Sequence, residues 1–541
     1  MSANQYDAIV IGGGHNGLCA GAYLAKNGAN AIVLEKRYKT GGAADTSAPW
    51  PEHPDFKVTT YSYVSGLIPP RVVSALQLEK HGYKVYPMGP VYQAWPDGRS
   101  MMFQLGNAKA GKDEIAKFSK KDSEAIFEWE EWVGRIADIL GPLLLSVPPK
   151  VGSKRPGDVI DQAKLLWRLR KEVDVRTTAE ITKLMTMSLT DLLDEWFESE
   201  ELKGVLTVDG VIGTWAGPDE PGTAYVLAHH GITDIGDGLL GNWGFPEGGM
   251  GAVADAFRRS AEAFGCRIRT EAPVEKILIE NGRVKGVVLA GGEELRAPVV
   301  VTACHPQVTF LQQIEREELP DDFVRDIENW KSRSGTVKIN LALSELPNFI
   351  ADPNPRDGSV PEHLTGSVEL SLSAKYVEQA FQDAKQGRAA TAPFSDGVIP
   401  TVVDKTLAPE GVHIFSLFTQ WCPQEWSSEP HTGELEAYTD RIIDLYDGLA
   451  PGFKASVIAR QTLGPHEMEQ ELGMIGGNIF HGELSADQLF HMRPAPGFAD
   501  FRSPIKGLYQ AHSGTHAGGG VNGIPAYHAV RQITKDRALK R

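Results

Sequence analysis

Three glycines and one acid carry the first chemical signal in this chain. Gly12, Gly14 and Gly17 form G-x-G-x-x-G inside "AIVIGGGHNGLCA", and Glu35 closes the apolar run "AIVL" eighteen residues after Gly17. The spacing suits a dinucleotide. Gly12 permits a tight turn, Gly14 lets the backbone approach a pyrophosphate, and Gly17 lets helix and strand pack closely. A helix opening at this turn presents free N–H groups and a partial positive charge to phosphates. An acid ~20 residues on can accept from ribose hydroxyls.

The elements that must position these residues are legible around them. Residues 8–11 read as a buried strand, 18–27 as a helix ended by Gly28, and 31–34 as a second strand. The motif alone does not separate FAD from NAD. The pair Gly41-Gly42 in "LEKRYKTGGAA" suits a loop turning back under a long dinucleotide, which favours FAD. A second glycine-rich stretch, "GTHAGGGVNGIPAY", lies at residues 514–527, without an acid after it. We read it as the other end of the same grip, with a helix from Val521 that tolerates Pro525 in its first turns.

The remaining sequence sets bounds. At 541 residues the chain exceeds one ordinary core. A net charge of -16 argues against nucleic acid as a partner. The cysteines Cys19, Cys266, Cys304 and Cys422 form no C-x-x-C pair, so a redox dithiol, a zinc site or any other metal centre has no support. No apolar run reaches membrane-spanning length, and no leader precedes "AIVIGGG", so a cytoplasmic location is expected.

Residues 115–145, 162–170 and 189–197 read as helices and fit poorly inside a parallel sheet. Gly248, Gly249 and Gly251 precede a helix at 252–264 but lack a feeding strand, so they are not a second dinucleotide turn. A three-stranded meander turning at Asn281-Gly282 follows, then a buried strand at 298–301. Strands at 334–343, 367–372 and 413–419 alternate with helices at 377–385 and 434–449. A last strand is expected at 507–511. The fold class expected is α/β: a Rossmann-like FAD-binding domain, a mixed-sheet substrate domain and an inserted helical cap. The boundaries are 1–75, 244–312 and 495–541 for the FAD-binding domain, 76–110 and 313–494 for the substrate domain, and 111–243 for the cap.

With "GGGHNGL", "LEKRYKTGGAA", "KINLALSELPNF", "FSLFTQWCP", "APGFKASV", "GGNIFHGELSADQLF", "RPAP" and "GLYQAHSGTHAGGGVNG" in order, the chain resembles the phytoene desaturase-like branch of the FAD-dependent amine oxidase superfamily. The resemblance implies non-covalent FAD. It assigns Gly12, Gly14, Gly17, Glu35 and Lys36 to the ADP half, and Gly42 and Ala43 to the loop under the pyrophosphate. It assigns Val274 to backbone contacts with adenine, and Gly514, Gly519, Gly520 and Val521 to the flavin and pyrophosphate. The chain departs from its relatives at Ala517, where many have proline, and at Gln510 and His512, which add polarity near the expected flavin edge.

The activity implied is removal of two hydrogens from a small or lipophilic organic substrate, with hydride passing to the flavin N5. A helix opening at Val521 would aim its N–H groups at the charge that builds on the flavin. His516 is the candidate catalytic residue, polarising substrate or shuttling a proton; the competing role is to brace its loop. His512 carries the same two readings; Lys338 either touches the flavin through water or snorkels at the strand end, and His15 reads as a loop-orienting residue. Tyr61, Tyr63, Trp215, Trp243, Phe480 and Phe490 are candidates for the pocket wall or for plain core. The leucine-rich, locally basic stretch 139–176 would suit peripheral contact between the cap and a membrane, or a solvated helix face. Two other functions stay open: a flavin-binding regulatory protein with little turnover, and an isomerase that depends on reduced FAD.

Overall fold

The computed structural model describes residues 4–104, 106–150, 152–170, 174–233, 235, 241–426 and 431–539. A five-stranded parallel sheet gathers strands from widely separated parts of the chain. Its order is Leu508–Gln510, Val299–Thr302, Ala8–Ile11, Ala31–Leu34 and Arg267–Arg269. Ala8–Ile11 and Ala31–Leu34 are buried on both faces, as their unbroken apolar runs demand. On one face Val10, Val33 and Val301 pack with the helices His15–Lys26, Met250–Ala263 and Ile524–Lys535. On the other, Ile9, Ile32 and Val300 pack against the antiparallel meander Val274–Glu280, Arg283–Leu289 and Glu294–Arg296.

A second, seven-stranded mixed sheet runs in the order Val457–Leu463, Thr336–Leu343, His413–Gln420, Phe394–Val398, Ser367–Leu370, Val91–Ala94 and Ser100–Phe103. Only the pair Ser367–Leu370 with Val91–Ala94 is parallel. Its large core joins the helices Ala374–Lys385 and Thr432–Leu449 to those of residues 108–230.

Several boundaries differ from the sequence reading, each for a local reason. The first helix opens at His15, because Gly14 is extended (φ −68°, ψ 171°) and serves as its N-cap. The helix expected over 115–145 is two: Ala108–Ala116 and Lys120–Leu144. Ser119 separates them, its hydroxyl accepting from the Asp122 N–H at 3.0 Å. Arg267–Arg269, not expected as a strand, completes the parallel sheet. The last helix opens at Ile524 rather than Val521, with Gly523 as a left-handed N-cap (φ 69°). The helices Val175–Thr186, Glu200–Val211 and Thr223–His230 were not expected; the last two are buried almost all round, which gives weak periodicity, whereas Val175–Thr186 is largely exposed and buries only Leu184.

The glycines of the opening turn divide sharply by what surrounds them. Gly12 has φ +96°, open to glycine at little cost. A Cβ on Gly17 would lie 1.8 Å from the Gly12 carbonyl oxygen. A Cβ on Gly14 would meet nothing in the protein closer than 3.8 Å. Gly17→Ala is therefore expected to separate helix from strand and to cost at least the ~1–3 kcal/mol typical of overpacking. Chemical denaturation of the variant checks this; unchanged stability would contradict the close approach.

Candidate functional site

One cavity of about 780 Å³ runs from the opening turn, between the two sheets, to the helices of residues 120–230. All the proposed cofactor residues except Gly514 and Gly519 line it: Gly12, Gly14, Gly17, Glu35, Lys36 and Gly42, with Ala43, Val274, Gly520 and Val521. Gly42 is left-handed (φ +60°), and its absent Cβ would lie 3.1 Å from the Gly14 Cα, so the two glycine loops close on one another. The Glu35 carboxylate accepts from the Gly13 N–H at 2.7 Å and the Arg37 N–H at 2.9 Å, which fixes it at the cavity wall with lone pairs to spare. The Val274 carbonyl accepts from Gln313 Nε2 at 3.1 Å.

The distant loop meets the opening turn directly. Asn16 Nδ2 donates to Ser513 Oγ at 3.3 Å across 497 residues of chain, and His15 meets the Gly520 backbone. Gly514 and Gly519 serve this loop differently from the expectation. A Cβ on Gly519 would lie 2.3 Å from the Phe480 ring, and one on Gly514 would lie 2.9 Å from the His481 carbonyl. They allow the loop to pack on Phe480 and His481, which do line the cavity.

The fit to a dinucleotide can be tested on unsatisfied groups. His15 Nε2, Asn16 Oδ1 and Arg37 Nη1 are buried without a hydrogen-bond partner, and all three residues line this end of the cavity. Buried polar atoms are ordinarily paired, so their concentration here marks a polar ligand. The Arg37 guanidinium and the open Cβ position at Gly14 suit a pyrophosphate, and the two acceptors, Asn16 Oδ1 and the neutral His15 Nε2, suit hydroxyl or N–H donors of its nucleosides. Arg37, which also bonds Glu471 at 3.1 Å, escaped the sequence reading although it follows Lys36 directly. Gln312, Gln313 and residues 469–475 gave no signal in the sequence; only the fold brings them to this wall.

The candidate catalytic residue His516 is not brought to the cavity. His516 is 2% exposed, is absent from the cavity wall, and meets the Leu143 carbonyl through Nε2 at 3.0 Å. His528 meets the Leu145 carbonyl in the same way at 3.0 Å. The two rings add a second partner to carbonyls at the end of helix Lys120–Leu144, since Leu143 also accepts from the Ser146 N–H at 3.1 Å and Leu145 from Arg71 Nη2 at 3.2 Å. His512 and Gln510 bond one another at 3.1 Å, are fully buried and do not reach the cavity. The helix N–H expected to face the flavin is also redirected, because Ile524 N–H donates to Asn522 Oδ1 at 2.8 Å. Lys338 is sealed in the mixed sheet, bonded to Asn340 Oδ1 at 2.7 Å and Ser416 Oγ at 2.6 Å, and burial pushes its pKa down to about 7.

Of the aromatic candidates, Tyr61, Tyr63, Trp243 and Phe480 line the cavity. Trp215 packs on Phe381 and Phe490 on His516. Beyond Phe480 the wall turns apolar: Trp129, Trp132, Ile136, Leu184, Val205 and Leu227. Polar groups return at one patch, formed by Asp209, His230, Glu369 and Asp396. Asp396 accepts from Tyr63 Oη at 2.5 Å and from the Ser367 hydroxyl, and Glu369 accepts from Ser371 Oγ at 2.8 Å. Burial raises all three carboxyl pKa values, that of Asp209 to about 7.

Similarity to known proteins agrees with this geometry. The NAD(P)-binding Rossmann-like domain family matches residues 10–64, and the flavin containing amine oxidoreductase family matches residues 196–384. Pyridine nucleotide-disulfide oxidoreductase domain-containing protein 2 of Rattus norvegicus is 39% identical, over 98% of this chain and 94% of its own length. The chain belongs to the FAD-dependent amine oxidase superfamily. FAD is its cofactor and it is an FAD-dependent oxidoreductase. A limonene dehydrogenase chain of Castellaniella defragrans is 24% identical over 99% of this chain and 95% of its own length. An oxidoreductase from Methanosarcina mazei shares the fold, with TM-score 0.60 and 18% identity, over 98% of this chain and 99% of that one.

Two outcomes follow for this site. Gly14→Ala keeps a permitted backbone, and its Cβ meets protein only at ordinary contact, 3.8 Å from the Gly42 Cα, so it is expected to melt like the wild-type apoprotein yet bind FAD more weakly; flavin absorbance after gel filtration reads the loss. The second concerns pH. Burial holds His15, His230 and His516 neutral down to about 4, and His229, His481 and His528 down to about 3. Unfolded histidines bind protons below about 6.5, so these groups make stability fall as pH drops below that value. The raised carboxyls Asp209, Glu369 and Asp396 act in the opposite sense but are fewer. Calorimetry is expected to give a lower Tm at pH 5.5 than at pH 7.5; an equal or higher value would contradict the neutral burial.

Proposed function

We propose that this chain is a dehydrogenase that removes two hydrogens from an apolar organic molecule held beneath the helices of residues 120–230. The observation that carries the reading is the wall of Trp129, Trp132, Ile136, Leu184, Val205 and Leu227, which continues without a break from the cofactor cradle. The limonene dehydrogenase chain, a relative along its whole length, is named for a terpene, which supports an apolar substrate class.

Gly12, Gly14, Gly17 and Gly42 leave the room a pyrophosphate needs, Glu35 faces the ribose end, and Arg37 and Lys36 supply cations. When bound, FAD supplies the two-electron acceptor. The indole rings of Trp129 and Trp132 exclude water and hold the substrate by shape. His516 and His528 pin the end of helix Lys120–Leu144 to the loop below it, so the apolar roof keeps its height.

Anaerobic titration tests the reading. Cyclic monoterpenes are expected to bleach the bound flavin, and a short hydrophilic diamine is not. Trp132→Ala is expected to slow bleaching by about tenfold or more while flavin content stays unchanged, which corresponds to ~1.4 kcal/mol of lost substrate contact. Reduction by the diamine alone would overturn the proposal.

We also infer peripheral contact with an anionic lipid surface. On helix Pro156–Leu169, Val159, Ile160, Leu166 and Trp167 are 48%, 52%, 71% and 68% exposed. Their spacing places them on one stripe. Lys154, Arg155, Lys164 and Arg170 are exposed beside it, in a protein of net charge -16. Residues 151 and 171–173 of the same basic stretch lie outside the described residues. Binding to phosphatidylglycerol vesicles is expected, with a several-fold loss in Leu166→Glu; equal sedimentation of both proteins with and without vesicles would refute the contact.

A further inference from the structure

The polar patch in the apolar wall is not uniform. Asp396 and Glu369 have donors of their own in Tyr63, Ser367 and Ser371. Asp209 and His230 do not share that provision. The Asp209 carboxylate lines the cavity and forms no side-chain hydrogen bond among the described residues; only its main-chain oxygen is engaged. His230 is 5% exposed and also lines the cavity. Its Nδ1 lies 2.8 Å from the Asp209 carbonyl and 3.0 Å from the Val226 carbonyl. Two acceptors at Nδ1 fix the proton there, which leaves Nε2 as a lone-pair acceptor with no partner among the described residues. The ring is braced by Trp243 at 6.3 Å and by Phe480 at 6.1 Å, the residue on which the loop glycine Gly519 packs.

Two unpaired acceptors in a wall of leucine, valine and tryptophan are costly to leave empty. A purely hydrocarbon ligand would bury both without recompense. A ligand that donates would satisfy both.

We propose that Asp209 and His230 Nε2 form a recognition site for one hydrogen-bond-donating group, a hydroxyl or an ammonium, on an otherwise apolar substrate. The inference rests on the apolar-chamber reading above and narrows its substrate class. Helix Glu200–Val211 supplies the carboxylate and helix Thr223–His230 the imidazole, and the bond from His230 to the Asp209 main chain holds the two together. Neutral His230 accepts a hydrogen bond from either group. Asp209, whose pKa burial raises to about 7, can donate to a hydroxyl when protonated or accept from an ammonium when ionised.

The test uses the FAD-loaded full-length protein and four probes of one chain length: hexane, methyl hexyl ether, 1-hexanol and hexylamine. Binding is read by the fluorescence of Trp129, Trp132 and Trp243, which line the cavity, so no turnover is needed. At least one donor probe is expected to bind about tenfold or more tighter than hexane and the ether, the scale of a hydrogen bond to a charged or buried partner. His230→Phe is expected to erase that preference. Asp209→Asn is expected to erase it for hexylamine and to spare 1-hexanol, which separates the two sources. Melting temperature and flavin content verify that each variant is folded; if neither is, the four-probe comparison on the wild-type protein decides alone. Equal binding of all four probes overturns the inference and leaves the apolar chamber standing. A donor preference that survives both folded variants also overturns it. Failure of every probe to bind removes the apolar chamber and the inference with it.

Discussion

A single buried cation organises the segments that join the opening turn to the cavity wall. Arg493 is fully buried, and none of its partners is a carboxylate. Its guanidinium donates to six main-chain carbonyls: Phe480, Gly482, Glu483, Gln488, Ser513 and Thr515, at 2.7–3.3 Å. Burial presses its pKa down to about 9, which still leaves it charged at neutral pH. Carbonyl dipoles thus replace water around the ion, and the charge costs little only while all of them stay in place. Two chain segments, 480–488 and 513–515, are held in one geometry as a result. The first carries Phe480 and His481 to the cavity; the second carries Ser513 to Asn16 of the opening turn.

The cavity depends on that clamp and on two further joins. Glu35 ties the turn of the parallel sheet to the start of the next loop through Gly13 and Arg37. His516 and His528 hold the end of the long helix Lys120–Leu144 through the Leu143 and Leu145 carbonyls. One continuous space therefore has a polar, glycine-lined end and an apolar, tryptophan-lined end. The chemistry of each end follows from what its walls lack. The first lacks side chains where a phosphate must approach; the second leaves the Asp209 carboxylate, His230 Nε2 and the buried Trp129 Nε1 without a hydrogen-bond partner among the described residues.

Much of the nucleotide-binding half was legible because its constraints are local. The strands Ala8–Ile11 and Ala31–Leu34 fall where their apolar runs put them, and the tasks assigned to Gly12 and Gly17 match φ and close approach. Helix boundaries slipped where a cap decided them, at Ser119 and Gly523, since a cap is a side-chain or dihedral event and not a period. The surroundings of His516 are not legible in the sequence, for a different reason. Its position in the chain placed it beside the flavin loop, but a histidine's role depends on what its nitrogens meet, and Leu143 is 373 residues away.

The sequence by itself determined the cofactor class, because a pyrophosphate demands glycine at fixed spacing and an acid one strand later, and those demands are met within about thirty consecutive residues. The tertiary structure alone decided the substrate side. Trp129, Leu184, Val205, His230, Asp396 and Phe480 come from separate elements, and no spacing links them. Each looks like ordinary core in isolation. Only the packing of the helices of residues 120–230 over the mixed sheet leaves a space between them, and only that space shows which polar groups go unpaired.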